Sequence, residues 1–270
     1  MTPIFLAAAA LIAAAPAFAT TAVTPTMAEV WLKPFAVSPS NPNSYGELTD
    51  DNFKIDGNYC VPYGGAKPVC LENANVSFGA SKNPAHGTMT LTVPAGQYAG
   101  GEVATGAGWL PAGSTPPFGP SPYGYGYYET RMQPSCVQGE ISSFFWIEAP
   151  KYGPHEWDVE FPNPPGHTFT DVHWTIHPSG KTVDFQLGFN PCEATHRYGF
   201  LWVPGSITFT VDGQSKYTFT DPTLTTTATG FVMMNAWDGN PNWGGGPPAA
   251  DAVNYYEWVR FYNAAATIMP

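Results

Sequence analysis

Glu156-Trp157-Asp158-Val159-Glu160-Phe161 carries an acid at every second position and a large apolar residue between each pair. A β-strand sends successive side chains to opposite faces. On that period Trp157, Val159 and Phe161 point into a core, while Glu156, Asp158 and Glu160 share the other face. The stretch therefore reads as a sheet strand with one buried face and one acidic face. Three like charges in a row raise at least one pKa, a cost that makes sense only if the acids act together.

Spacing makes the idea quantitative. The Cα atoms of Glu156 and Glu160 stand roughly 13 Å apart at about 3.3 Å per residue. Side chains leaning together bring the carboxyls to about 5–6 Å, the separation of the nucleophile and acid/base in a retaining glycosidase. Asp158 is shorter, lies between them, and is placed to share a proton with one Glu. A solvated acidic face and a clustered-carboxylate calcium site are the competing readings of the bare motif.

The rest of the chain supports an all-β fold. Alternating segments recur at Thr88–Val93, Tyr125–Met132, Glu140–Ile147, His155–Phe161 and Phe169–Ile176. Asp212-Gly213 sits between the alternating runs Ile207–Val211 and Lys216–Thr220, a strong hairpin signal. No amphipathic helix and no internal repeat is evident, so many short strands predict an antiparallel sandwich or barrel. Pro- and Gly-rich loops at Pro111–Pro122 and Asn240–Ala250 are long enough to be functional.

Composition narrows the context. Residues 1–19 read as a secretory signal peptide: Ile4–Ala15 is uncharged and apolar, and Ala17-Phe18-Ala19 offers a cleavage site. Residues 20–50, rich in Pro, Ser and Asn, read as an extended arm with a strand near Glu29–Leu32, and 51–270 as one β domain. Only 11% of the residues are charged and 15% are aromatic, with 28 Gly and 29 Pro, which suits a loop-rich β fold with stacking surfaces. The net charge of −11 argues against nucleic acid or an anionic membrane as partner and favours a neutral one. Four cysteines in an exported chain predict disulfides. Of three connectivities, Cys60–Cys70 with Cys136–Cys192 is favoured, because the first closes a short loop holding Pro62, Gly64 and Gly65.

An ordered series of motifs now joins the acidic strand. Gly124–Met132, Gly139–Phe145, Glu156–Phe161, His196–Trp202, Val211-Asp212-Gly213, Met233–Gly239 and Tyr256–Tyr262 follow one another along the chain. Over roughly residues 70–265 this series resembles family-16 glycoside hydrolases, most closely the bacterial lichenases, which are endo-β-1,3-1,4-glucanases. The resemblance implies a concanavalin-A-like β-jelly-roll of two antiparallel sheets with an open concave glycan cleft. It implies a polysaccharide substrate, a secreted or periplasmic monomer, and hydrolysis with retention. Glu156 would be the nucleophile, Glu160 the acid/base and Asp158 the nucleophile's partner. Glu102, Phe145, Asn235 and Trp237 would line the cleft, with Trp237 stacking on sugar.

Several positions depart from the pattern. Trp157 and Val159 replace aliphatic residues, His155 precedes the nucleophile where an Asp is common, and Pro154 stands where a cleft Trp is usual. Ile147 and Thr175 replace aromatics, and Ala104 replaces an Arg. These changes touch the subsites and leave linkage open: another β-glycan, transglycosylation, or a non-catalytic glycan-binding sandwich are the alternatives. His173 and His177, about 13 Å apart on a strand, are too distant to share one ion. His173 reads as a polar cleft residue and His177 as a turn residue. No cofactor is required, and a structural Ca²⁺ at Glu257, on the convex side, is what the resemblance implies for a metal.

Overall fold

The computed structural model describes residues 29–34, 53–55, 59–61, 67–79, 88–105, 123–149, 153–238 and 243–263, the first two stretches by backbone. The leader at 1–19, the loop 111–122 and the arm apart from 29–34 lie outside the described residues. Among the described residues no helix is long and apolar enough to cross a membrane.

In chain order the first strands are β1 (Glu29–Pro34), β2 (Phe53–Ile55), β3 (Tyr59–Val61), β4 (Val69–Leu71), β5 (Val76–Gly79) and β6 (Thr88–Val93). Then come β7 (Ala99–Thr105), β8 (Gly126–Gln133), β9 (Ile141–Glu148), β10 (Glu156–Pro162), β11 (Asp171–His177) and β12 (Lys181–Gln186). The last are β13 (His196–Val203), β14 (Ser206–Val211), β15 (Gln214–Thr220), β16 (Gly230–Trp237) and β17 (Ala252–Asn263). They form two stacked sheets. One runs β15-β14-β13-β8-β17-β6-β5 with β1 beside β17, and the other β12-β11-β10-β9-β16-β7-β4-β3 with β2 beside β7. Among the described residues every ladder is antiparallel except β4 with β7. The chain steps between sheets as it goes from β6 to β9, which is the jelly-roll habit expected from the motif series.

The acidic strand obeys its period. Trp157 and Val159 are fully buried and Phe161 is buried, all in the inter-sheet core. Trp157 stacks on Trp146 (5.6 Å between centroids, 9° between planes) and meets Trp202 from the opposite sheet at 5.2 Å. Each indole takes on the order of 200 Å² out of water, about 5 kcal/mol of transfer free energy before entropic costs. An indole therefore fits where the family resemblance led one to expect an aliphatic side chain, because its neighbours are indoles too.

A polar girder crosses this apolar core. Tyr256 of β17 donates its hydroxyl hydrogen to the Ser143 carbonyl at 3.0 Å, joining the far sheet to β9. Glu140, fully buried at the start of β9, accepts from Asn163 at 2.6 Å and Asn254 at 3.2 Å. Burial pushes its pKa up to about 8, so at neutral pH it is protonated and does not carry a bare charge into the core. Both expected disulfides, Cys60–Cys70 and Cys136–Cys192, are formed. The Asp212-Gly213 hairpin joins β14 to β15 with both residues at positive φ, 52° and 75°, as a tight primed turn requires.

Candidate active site

Register on the second sheet writes the site row by row. Asp184, His173, Glu160, Ser143, Asn235 and Glu102 stand opposite one another on β12, β11, β10, β9, β16 and β7. The next row holds Thr182, Thr175, Asp158, Phe145, Met233 and Ala104. The third brings His177, Glu156, Ile147 and Phe231 together. Opposite residues on adjacent strands share a face, so Glu156, Asp158, Glu160, Glu102, Phe145, His173 and Asn235 all look out of the sheet on the side away from the core. β7 comes close enough to β16 only because Gly100 has no side chain; a Cβ there would lie 2.1 Å from the Ala236 carbonyl oxygen.

The acids are not a solvated stripe. Asp158 is 5% exposed. Burial first, then the charges of Glu156 and Glu160, drive its pKa well above the ordinary carboxylate range, and it shares a hydrogen bond with Glu156. Glu160 is raised to about 8, by burial first and then by the Glu156 charge, while the Trp243 side chain donates a hydrogen bond to it that works the other way. At neutral pH the arrangement holds a proton on Glu160 and a proton on Asp158 that is shared towards Glu156. That is one donor and one hydrogen-bonded carboxylate on a single strand, the division of labour that double displacement needs.

Around the triad a hydrogen-bond relay leads away along the first row. Ser143 Oγ donates to the side-chain Oδ1 of Asn235, Asn235 Nδ2 donates to Glu102 at 3.1 Å, and the Tyr59 hydroxyl donates to Glu102 at 2.5 Å. His173 Nδ1 lies 2.6 Å from Asp184, and its ring meets Trp243 edge-on at 4.3 Å. Two apolar clusters on the same face flank the acids. Val69, Leu71, Ile141 and Trp237, with Tyr59 and Trp243, lie at the Glu160 end; Trp237 is 8% exposed there. Ala104, Phe145, Ile147 and Met233, with Phe231, lie at the Glu156 end, and Phe145 is 6% exposed.

A sequence profile described as Glycosyl hydrolases family 16 matches residues 74–260, a span that contains the triad and every strand from β6 to β16. This chain belongs to glycosyl hydrolase family 16. The family-16 chain is 40% identical over 149 residues to the Beta-glucanase of Bacillus subtilis (strain 168), covering 52% of this chain and 59% of that one. It is 35% identical over 144 residues to the Beta-glucanase of Paenibacillus polymyxa, covering 52% and 60%. The match thus spans about 60% of the length of these curated relatives. Among solved structures, Bacillus licheniformis beta-glucanase superposes with a TM-score of 0.64 at 27% identity, covering 88% of this chain and all of that one.

Several side chains of this site escaped sequence reasoning, Ser143 and Asp184 on the first row among them. Trp243 lies in the Pro- and Gly-rich stretch after β16, where no period announces which way a side chain points. Its loop is seated by contact, since a Cβ on Gly245 (φ +88°) would strike Pro165 Cδ at 2.4 Å. Tyr59 sits on a three-residue strand held by the Cys60–Cys70 bridge. His177 corrects the reading of a turn residue: it is the last residue of β11, directly opposite Glu156. Its parity with His173 and Thr175 was the available signal.

Glu257, the calcium ligand that the resemblance implied, is engaged by an arginine. It is 2% exposed, and Arg131 Nη1 lies 2.8 Å from its Oε2, an ion pair whose angles fall short of a hydrogen bond. Among the described residues no group of three or more His, Cys, Asp or Glu side chains could hold a metal ion, and no step below is routed through one.

Trp243→Phe tests the contact to Glu160. Losing the indole N–H removes a hydrogen bond to the ionised form, so the Glu160 pKa should rise and the basic limb of kcat/KM should move to higher pH. A pH–rate profile with an unmoved basic limb would show that the contact is not made in solution.

Proposed function

We propose that this family-16 chain is an exported endo-β-glucanase that hydrolyses β-1,3-1,4-linked glucan with retention of configuration. The observation that carries the reading is the unequal treatment of the acids on β10: Glu160 is held protonated while Asp158 hydrogen-bonds Glu156. In the first half-reaction Glu156 attacks the anomeric carbon as Glu160 gives its proton to the departing sugar oxygen, and a glycosyl ester forms. In the second, Glu160 takes a proton from water, whose oxygen attacks the anomeric carbon from the face the departing sugar vacated and breaks its bond to Glu156. Asp158 steadies the charge on Glu156 as it is released. The relay Ser143–Asn235–Glu102–Tyr59 supplies hydrogen bonds for sugar hydroxyls, and the half-buried aromatics at the rims of the two apolar clusters, Tyr59 and Trp243 at one end and Phe231 at the other, supply faces for sugar rings. The beta-glucanase names of the relatives support the glucan, and the disulfides fit an oxidising compartment, secreted or periplasmic. The same chemistry requires no cofactor, and the proposed partner is a neutral polysaccharide bound by a monomer.

The apolar patch of Ala104, Ile147 and Phe231 beside the nucleophile favours a second reading, a different β-glycan or a sugar acceptor in place of water. Proton NMR of the first products from 1,3-1,4-glucan, 1,3-glucan and acidic exopolysaccharide separates the two. A β-anomer released first from 1,3-1,4-glucan is the expected result. An α-anomer would remove the retaining mechanism, faster turnover of another polymer would reassign the substrate, and glycosylated acceptor products would make it a transglycosylase.

A further inference from the structure

His177 stands at the edge of the acid triad and belongs to no part of the mechanism above. It faces Glu156 across the β10–β11 ladder, and its Nε2 lies 3.6 Å from Asp158 Oδ2. That distance is long for a hydrogen bond and short for a charge interaction. Nearly half of the His177 side chain, 46%, is open to solvent, whereas Asp158 is buried. The imidazole is thus a titrating group with one side in water and the other against a buried acid.

The described charged groups around it narrow what it can answer to. From β10 it faces Glu156 and Asp158. Lys181, the first residue of β12, turns to the other sheet, 2.6 Å from Asp221. His155, next to Glu156, is engaged with Glu148 at 2.5 Å, and Glu148 ends β9. Neither pair competes with His177 for Asp158.

We propose that His177 is a positioning residue for the triad: as its imidazolium it holds the Glu156–Asp158 pair ionised towards lower pH, and so sets the acid limb of catalysis. The inference rests on Glu156 and Asp158 acting as nucleophile and partner. Burial lowers the His177 pKa below its ordinary 6.5, so the ring is neutral at neutral pH and charges as the medium acidifies. Its positive charge then arises in the pH range where the nucleophile is at risk of protonation. An opposite charge at this distance favours the ionised carboxylate, and the pair gives up a proton it would otherwise keep. The coupling is reciprocal: the single negative charge that Glu156 and Asp158 share must raise the His177 pKa by as much as the imidazolium lowers that of the pair.

Two measurements on the full chain decide it. The first follows the His177 ring by NMR through a pH titration, in the unsubstituted protein and in Asp158→Asn. The expected result is a His177 pKa lower in the Asn variant by about half a unit to one unit, the small end of the usual range because the ring is half exposed. The second compares kcat/KM profiles of the unsubstituted protein, His177→Gln and His177→Lys. The Gln variant should raise the acid limb by a similar amount with the basic limb in place, and Lys, a permanent cation there, should restore it. A His177 titration indifferent to Asp158 overturns the proposal, and so does an acid limb that stays put in the Gln variant. An acid limb displaced equally by Gln and Lys also overturns it, because that outcome marks a packing role. If the unsubstituted chain cleaves no glucan, the proposed activity fails by itself, and the NMR titration still decides the His177–Asp158 coupling.

Discussion

Glu156→Ala abolishes turnover, with kcat falling on the order of 10⁴-fold or more, as expected for loss of a covalent nucleophile, while the fold and glycan binding persist. The expectation follows from where the side chain sits. Glu156 lies on the sheet face away from the inter-sheet core, so truncating it leaves that packing in place and removes only the proposed nucleophile. Added azide should restore part of the activity by entering the vacated space, and the product should be a glycosyl azide of inverted anomeric configuration. Chemical rescue with inversion is difficult to obtain from a merely structural residue. Full activity in the alanine variant would strip Glu156 of its role.

Asp158→Asn carries the second large effect, a loss of kcat of about 10²-fold or more, in the range of a displaced acid–base partner, with a changed pH profile. In the native pair, Glu156 and Asp158 share a hydrogen bond, and a proton lodged on Asp158 leaves Glu156 charged. Two carboxyls sharing one proton give up the other at low pH. An amide still donates a hydrogen bond but cannot take the proton, so Glu156 must titrate by itself in a partly buried site. The acid limb of kcat/KM should rise and the bell narrow, while the basic limb, set by Glu160 near 8, stays. Measuring both profiles over the full range decides the matter. An unchanged rate and profile would remove Asp158 from the chemistry.

Much of this was legible in the chain because period two carries both fold and site. A strand that buries Trp157, Val159 and Phe161 has no choice about where Glu156, Asp158 and Glu160 go. Phe145, Asn235 and Glu102, expected on this face from the family resemblance, are set by the register of the strands: Phe145 opposite Asp158 and Asn235 opposite Glu102. What escaped has local causes. β12 is an edge strand whose inward residues Val183 and Phe185 are only half-buried, so its alternation is faint beside those of the central strands. β3 and β4 are three residues each, too short for any period to register, and a disulfide pins them. Trp243 depends on how one loop rests on another. His177 precedes Pro178-Ser179-Gly180, a strong turn signal that masks the strand parity before it.

The stacked indoles beneath the acids have a consequence of a different kind. Trp157 is the covalent neighbour of both Glu156 and Asp158, and its ring lies face to face with Trp146 and edge-on to Trp202. Rings this close exchange excitation readily, so the cluster senses its surroundings as a unit, one residue away from the proposed catalytic acids. A proton moving on the triad, or water leaving the cleft, changes the electric field at the cluster. Part of the intrinsic fluorescence of the nine tryptophans should therefore change in colour or brightness with events at the acids, without any added dye.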